Sequence, residues 1–218
     1  MRKERALNKS LVVGSTGLVG SHVLKQLSER GERPIAVLRS VSDALPKDIQ
    51  IHQIDFDELL TSGELPLCDH LYLCLGTTIK TAGSKEAFRR VDFDYCVGIA
   101  KLAMNAGTSV VSLVSSVGAD ASSSNFYLRT KGEVEEALRA LGFSTLNIYR
   151  PGLLLGKRLE KRVGEGLGKI IFKLIDPFLL GAFSKYRSVK AETLARAMIE
   201  KSTIAKGINW FHFRQFKA

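Results

Sequence analysis

An α/β fold with a doubly wound parallel sheet is predicted by three features of this 218-residue sequence. Short runs rich in Val, Ile and Leu alternate with amphipathic stretches, as expected for strands that helices cover on both faces. The spacing of these runs fits repeated strand–helix–strand units. A glycine-rich turn joins the first run to the first helical stretch. The length favours one domain, and we expect a single nucleotide-binding domain over residues 1–218.

Each element follows from a local pattern. Strands are predicted at the apolar runs "SLVVG", "PIAVL", "IQIHQI", "HLYLCLG", "TSVVSLVSS", "STLNIYRPG" and "GINWFHF". Two helices are predicted from apolar stripes, one formed by Val19, Val23, Leu24 and Leu27 and the other by Ala87, Val91, Tyr95, Ile99 and Leu102. A further helix is predicted over residues 191–201. The less patterned residues, about 152–190, should form a small region that covers the carboxyl edge of the sheet, where such folds bind ligands.

The net charge of +10 is concentrated in the C-terminal part of the chain. Residues 157–218 hold 14 Lys and Arg against 5 Asp and Glu, which leaves only +1 for the rest. A solvated basic face explains this asymmetry, and so would an acidic substrate, an anionic surface or a nucleic acid. Phe172, Phe178 and Phe183 lie in an apolar run that is more typical of a pocket cover or a homodimer face. We therefore expect a small-molecule substrate and no nucleic-acid partner.

Cysteine content and hydropathy predict the compartment. Cys68, Cys74 and Cys96 have neither an even count nor metal-ligand spacing, so neither a disulfide framework nor a metal site is expected. The basic N-terminus precedes an apolar run, but Gly and Ser interrupt that run and no cleavage site follows it. The stretch "IIFKLIDPFLLGAF" is too short and too charged to span a bilayer. These features predict a cytoplasmic protein.

A candidate dinucleotide-binding turn lies in "LVVGSTGLVGSHVLKQL". Gly14 ends the first predicted strand, Gly17 lies in the turn, and Gly20 lies in the first helical turn. A helix N-terminus offers unpaired N–H groups to a diphosphate, and glycine permits its close approach. The alternative is that these glycines serve backbone geometry alone. We favour a Rossmann-type cofactor site, formed by Gly14, Ser15, Thr16, Gly17, Leu18, Val19 and Gly20.

The end of the second predicted strand indicates which dinucleotide binds. Sites for NAD place an acidic residue there to accept the ribose hydroxyls, whereas this chain has Arg39 and Ser40. A guanidinium group makes charge-assisted hydrogen bonds with a 2′-phosphate. NADP(H) is therefore the predicted cofactor, and the alternative is that Arg39 is only an exposed loop cation.

A candidate catalytic group lies in "VSLVSSVGADASSSNFYLRTKGEVEEALRALG". Ser115 and Ser116 end the fifth predicted strand, and the next helix should run to Leu141 after a cap at Asn125 or a preceding serine. Tyr127 and Lys131 are four residues apart and share a helix face. An ammonium group near a phenol lowers the phenol's pKa towards the working range, so Tyr127 could act as a proton donor.

These segments together resemble the short-chain dehydrogenase/reductase superfamily, in its atypical branch. The resemblance is strongest to the HIV Tat-interactive protein type of NADPH-dependent oxidoreductase and its bacterial relatives. It extends from residue 10 to about residue 200 and rests on the segments "GSTGLVG", "YLCLGTT", "FRRVDFDYCVGIAKLAMNAG", "SSVGAD", "SSSNFYLRTKGEVE" and "YRPGLLLG".

The resemblance implies further site residues. Tyr127 and Lys131 match the Tyr-x-x-x-Lys motif, in which the lysine also bonds the nicotinamide ribose, and Ser116 is chosen over Ser115 because the later serine usually faces the substrate. Asp92 stands where many relatives carry Asn. The other implied cofactor-binding residues are Asp55 near the adenine, Leu75, Gly76 and Thr77 along the adenosine and ribose, Pro151, Gly152, Leu153 and Leu154 beside the nicotinamide, and Arg162.

The function predicted from the sequence is the NADPH-dependent reduction of a carbonyl-type small substrate at a Ser-Tyr-Lys site. One alternative keeps the fold and the cofactor but makes the protein a regulator, similar to NmrA-like redox sensors, that acts through a protein partner. Those sensors usually lack the Tyr–Lys pair, so Tyr127 and Lys131 favour the enzyme.

Overall fold

The computed structural model describes residues 9–41, 45, 46, 49–156, 181–202 and 205–217. A seven-stranded sheet has the strand order β3-β2-β1-β4-β5-β6-β9, and every neighbouring pair is parallel. All seven predicted strands belong to it, which confirms the doubly wound fold. The strands are β1 Ser10–Val13, β2 Ile35–Leu38, β3 Gln50–Gln53, β4 His70–Leu73, β5 Val110–Val114, β6 Thr145–Tyr149 and β9 Gly207–Phe211.

Helices follow most of the strands. The described α-helices are α1 Gly20–Glu29, α2 Phe56–Ser62, α3 Ile79–Ala82, α4 Lys85–Arg89, α5 Cys96–Asn105, α6 Phe126–Leu141 and α7 Ala191–Glu200. A π-helical turn, Arg90–Tyr95, joins α4 to α5 and interrupts the helix that the apolar stripe predicts. No described helix is both long and apolar enough to cross a membrane.

Two apolar layers cover the two faces of the sheet. On one face, α2, α5 and α6 pack over Leu11, Val13 and Leu71. On the other face, α1 and α7 pack over Val12 and Tyr72. Neighbouring residues of β1 therefore point into opposite layers, which explains why the run "LVV" is apolar throughout.

A second, two-stranded sheet lies beyond β6. It pairs β7 Leu154–Leu155 with β8 Val189–Lys190, and a 3₁₀ helix, Gly181–Tyr186, precedes β8. These are the described parts of the predicted covering region at about 152–190, and residues 157–180 lie outside the described residues. Of the three phenylalanines that the sequence analysis assigns to a pocket cover or a homodimer face, Phe183 is described. Its side chain is 66% exposed, so no apolar group of the described chain covers it.

A buried histidine at the amino end of β4 makes stability depend on pH. His70 stacks on Tyr72, and its Nε2 lies 2.9 Å from the hydroxyl oxygen of Ser112. Burial lowers the pKa of His70 to about 3. In the unfolded chain this imidazole binds a proton near pH 6.5, whereas in the folded chain it stays neutral at that pH. The free energy of unfolding is therefore at its full value above about pH 6.5 and falls as the pH drops towards 3.

We expect His70→Gln to reduce the loss of unfolding free energy between pH 7.5 and pH 5 by about 2 kcal/mol, because one proton uptake by the unfolded state is removed. Urea unfolding at the two pH values measures this. Ser112→Ala is the control, since it removes the hydrogen-bond partner and keeps the imidazole, so its pH dependence should match the parent. An unaltered slope in His70→Gln would show that another group causes the acid sensitivity.

Candidate active site

The glycine turn packs tightly between β1, α1 and β4. Gly14 has φ of +79°, and a Cβ on it would lie 2.6 Å from the carbonyl oxygen of Cys74. A Cβ on Gly20 would lie 2.2 Å from the carbonyl oxygen of Gly14. No side chain caps the start of α1, where Val19 occupies the N-cap, and its first turn contains no acidic residue. The first N–H groups of α1 thus form an electropositive end beside the sheet.

A cavity of about 580 Å³ opens at this turn, at the carboxyl ends of β1, β2 and β4. Its volume lies in the range of small-molecule and cofactor sites. It also lies where the strand order reverses about β1, which is the usual ligand position in such sheets. The predicted site residues that line it are Gly14, Ser15, Thr16, Gly17, Arg39, Ser40, Leu75, Gly76 and Thr77.

Two arginines line the end of this cavity near β2. Arg90 donates to Oδ1 of Asp57 from Nη2 at 2.7 Å, and the hydroxyl of Tyr95 donates to the same oxygen at 2.7 Å. The hydrogen bond from Tyr95, and then Arg90, lower the pKa of Asp57. Arg39 is exposed, and its guanidinium makes no ion pair with any described carboxylate. Arg39 also acts electrostatically on Asp57, but of the two guanidinium groups only that of Arg90 lies within ion-pair distance of this carboxylate.

Helix α6 carries the predicted Tyr–Lys pair. Asn125 caps the helix by accepting from the N–H of Leu128, and Gly142 ends it in a left-handed conformation, so the predicted bounds are confirmed. Tyr127 is partly buried, and its ring centroid lies 5.7 Å from that of Phe88 on α4. Lys131, one turn further on, is buried and interacts electrostatically with the phenol of Tyr127. The two side chains thus share one environment, as the spacing predicts.

Lys131 forms a buried ion pair with Asp92 of the π-helical turn. Its Nζ lies 2.7 Å from Oδ1 of Asp92, and the side chains are 7% and 0% exposed. Burial lowers the pKa of Lys131, but the neighbouring groups, Asp92 first among them, together outweigh burial and raise this pKa above its usual value. A Cβ on Gly76 would lie 3.6 Å from Oδ1 of Asp92 and 3.9 Å from Nζ of Lys131. The pair therefore lies directly behind the Gly76 wall of the cavity.

The two serines at the end of β5 have different surroundings. Ser115 is buried and donates to Oε1 of Glu135, which also accepts from Nε of Arg150 at 2.9 Å. Ser116 is only partly buried, and its hydroxyl donates to the carbonyl oxygen of Val117 at 3.3 Å. Since Ser115 is committed to the ion pair, Ser116 is the serine better able to meet a substrate.

Among the residues that the structure describes, the remaining predicted site residues do not line the cavity, and neither do Ser116, Tyr127 and Lys131. Leu18, Val19 and Gly20 form the start of α1, and a Cβ on Gly156 would lie 2.9 Å from Leu18 Cδ1. The segment Pro151, Gly152, Leu153 and Leu154 thus runs into β7 close to the glycine turn, and Gly152 packs against the backbone of Tyr186 and Arg187. Asp55 is exposed and caps α2. Arg162 lies outside the described residues.

Sequence reasoning missed several walls of the cavity. Phe56, Arg90 and Tyr95 line it, and the remaining missed lining residues are Val37, Leu38, Cys74, Thr81, Ala82, Ala87 and Val91. The segment "FRRVDFDY" contained a signal, because two adjacent arginines follow a strand that ends at the predicted cofactor edge. The pairing of Arg90 with Asp57 depends on the tertiary contact between α2 and the π-helical turn, which the sequence does not show.

Comparison with known proteins identifies related chains. The profile of the NAD dependent epimerase/dehydratase family matches residues 10–190. Protein fmp52, mitochondrial, from Emericella nidulans is 34% identical over 208 residues, which cover 90% of this chain and 86% of that protein. Protein HTATIP2 from Rattus norvegicus is 34% identical over 209 residues, which cover 88% and 80%. These matches confirm the predicted resemblance and the class of NAD(P)-dependent enzyme.

A solved structure shows the same architecture. The Bordetella bronchiseptica enzyme WbmH, in complex with NAD⁺, superimposes with a TM-score of 0.68 over 94% of this chain and 75% of that chain, at 15% identity. At this identity the likeness concerns the fold. The preference for NADP(H) stays a prediction, and so does the cytoplasmic location, since the Emericella relative is named as mitochondrial.

We expect Arg150→Gln to lower the unfolding free energy by about 3 kcal/mol, because it leaves the buried carboxylate of Glu135 without its partner. Arg139→Gln is the matched control, since Arg139 is exposed and lines, together with Glu135, Arg150 and Trp210, a second and smaller cleft. Equilibrium unfolding in urea measures both variants. The interpretation is wrong if the two variants lose equal stability.

Proposed function

The chain belongs to the NAD dependent epimerase/dehydratase family, and from this premise we propose that it is an NADPH-dependent oxidoreductase that reduces a carbonyl-type small substrate. One observation carries the proposal. The lysine one helical turn from Tyr127 lies directly behind the Gly76 wall of the cavity that opens at the glycine turn. A cofactor seated there would extend from the glycine turn towards the predicted proton donor.

The residues present fit a dinucleotide. Gly17 lines the cavity beside the start of α1 and has no side chain that could block the approach to it. The diphosphate would accept from the first N–H groups of α1. Leu75, Gly76 and Thr77 would bound the adenosine and ribose side, with Leu153 and Leu154 towards the nicotinamide. When bound, NADPH supplies a hydride to the carbonyl carbon.

The charges at the other end of the cavity favour a 2′-phosphate. Arg39 has no carboxylate within ion-pair distance among the described residues, so an anion would give its guanidinium charge-assisted hydrogen bonds. Arg90 is held by Asp57 and Tyr95 and faces the same space. An adenosine without the phosphate would leave Arg39 with no such partner, which supports NADPH over NADH.

The chain's own groups would manage the proton. Tyr127 would donate its phenolic proton to the carbonyl oxygen, so that the product is an alcohol. Lys131 would stabilise the resulting phenolate by its positive charge. Ser116, which is free of the Glu135 ion pair, would donate to the same carbonyl oxygen and orient the substrate.

We expect Arg39→Ala to lose at least about tenfold in NADPH affinity and to keep its NADH affinity, because only the 2′-phosphate contact is removed. Isothermal titration with each cofactor measures this. Arg33→Ala is the control, since Arg33 is also exposed but precedes β2 at the opposite edge of the sheet. Equal affinity of the parent for the two cofactors would remove the 2′-phosphate assignment.

We expect Tyr127→Phe to bind NADPH with nearly parental affinity and to lose about 10²- to 10⁴-fold in turnover, because it lacks the donated proton. Steady-state rates on a panel of aldehydes and ketones measure this against parent protein. Tyr186→Phe, at an exposed position of the 3₁₀ helix, should keep parental turnover.

Retained turnover in Tyr127→Phe would remove this residue from the mechanism. Tight NADPH binding by the parent, with no turnover across the panel, would instead favour the regulatory alternative.

A further inference from the structure

The π-helical turn at Arg90–Tyr95 places one acidic side chain in the interior beside the cavity. Asp92 is completely buried, whereas its neighbours in the turn, Asp94 and Arg90, are exposed. Its Oδ2 accepts from the backbone N–H of Thr77 at 2.8 Å, and its Oδ1 lies 2.7 Å from Nζ of Lys131. A single carboxylate thus contacts the cavity wall after β4 and the lysine of α6.

The surroundings of Lys131 make this carboxylate decisive for its charge. The titratable groups that face Lys131 are Asp92 from the π-helical turn, Cys96 from α5 and Tyr127 from its own helix. Burial raises the pKa of Cys96 to about 12, so this thiol carries no charge near neutral pH. Among these groups, Asp92 makes the largest contribution that raises the pKa of Lys131. A buried ammonium without a counter-ion loses its proton readily.

We propose that Asp92 is a positioning residue whose carboxylate keeps Lys131 as an ammonium ion and fixes it against the Gly76–Thr77 wall of the cavity. Asp92 is completely buried, so it would act through Lys131 and not by direct contact with a ligand. The inference rests on the proposed function only for its catalytic consequence, which is that Asp92 maintains the charge that stabilises the phenolate of Tyr127.

The choice of carboxylate over carboxamide has a definite electrostatic effect. An asparagine at position 92 could still accept from the Thr77 N–H through its amide oxygen, so the cavity wall would keep its hydrogen bond. It would have no charge to offset the burial of Lys131. The lysine would then titrate at a lower pH, and its charge would be lost in the range where the parent retains it.

Asp92→Asn tests this without any ligand. The ¹³Cε resonance of Lys131, assigned by its absence in Lys131→Met, is followed by NMR from pH 6 to pH 11. We expect Lys131 in Asp92→Asn to titrate at least about 2 pH units below Lys131 of the parent, which keeps its charge through most of this pH range. Glu29→Gln, which breaks the exposed Lys25–Glu29 pair, is the control and should leave the midpoint unchanged. A midpoint in Asp92→Asn equal to that of the parent would overturn the proposal.

A second comparison holds even if Asp92→Asn folds poorly. Lys131→Met alone leaves the Asp92 carboxylate buried without a counter-ion, whereas the double variant Asp92→Asn, Lys131→Met removes both charges. We expect the double variant to have the higher melting temperature of the two, and the opposite order would overturn the proposal.

NADPH binding separates the inference from the proposed function. NADPH affinity is measured at pH 7 and at pH 9.5 in both proteins. We expect the loss of affinity between these pH values to be at least about tenfold greater in Asp92→Asn than in the parent, because Lys131 loses its charge in the variant. If the parent does not bind NADPH at any pH, the proposed function fails, and the ligand-free titration still decides the role of Asp92.

Discussion

The site depends on the close approach of backbone segments at the end of β1. The turn after β1 passes so near the end of β4 and the start of α1 that side chains at Gly14 and Gly20 would collide with carbonyl oxygens. This approach brings the amide end of α1 beside the Cys74–Thr77 segment, and the cavity lies between them. Because the contact is between backbones, it leaves little room for substitution, whereas the side chains around the cavity can vary with the ligand.

The second requirement is that the two halves of the site keep their relative position. The cavity wall belongs to the β1–β4 half of the sheet, and Tyr127 belongs to α6, which follows β5. The Asp92 carboxylate joins these parts through the Thr77 N–H and the Lys131 ammonium. Because the pair is buried, removing either partner alone lowers the free energy of unfolding more than removing one partner of a surface ion pair. The connection is therefore more rigid than a surface ion pair would be. A nicotinamide held by one half would thus meet a phenol held by the other at a constant distance.

Local patterns were sufficient for the strands, for the bounds of α6 and for the glycine wall, because each depends on residues close in sequence. The pairing of Arg90 with Asp57 joins residues 33 positions apart and could not be read from either segment. The π-helical turn left a trace that was not recognised. The apolar residues Ala87, Val91, Tyr95 and Ile99 repeat every four residues. In an α-helix with 3.6 residues per turn, such a stripe rotates around the helix axis, and the wider π-helical turn reduces this rotation. The position of the covering region was predicted, but its strands and 3₁₀ helix were not, because the sequence pattern there is weak.

The cations near the cavity divide into two groups by their partners. Lys131 is paired with Asp92 and Arg90 with Asp57, so both of these charges are already compensated within the chain. Such pairs hold side chains in place but add little net attraction for an anion. Arg39 differs, because no described carboxylate pairs with it and it lies on the cavity wall. An incoming dianionic group would gain most at that end of the cavity, and this supports the proposed orientation, in which the 2′-phosphate of NADPH would lie near β2.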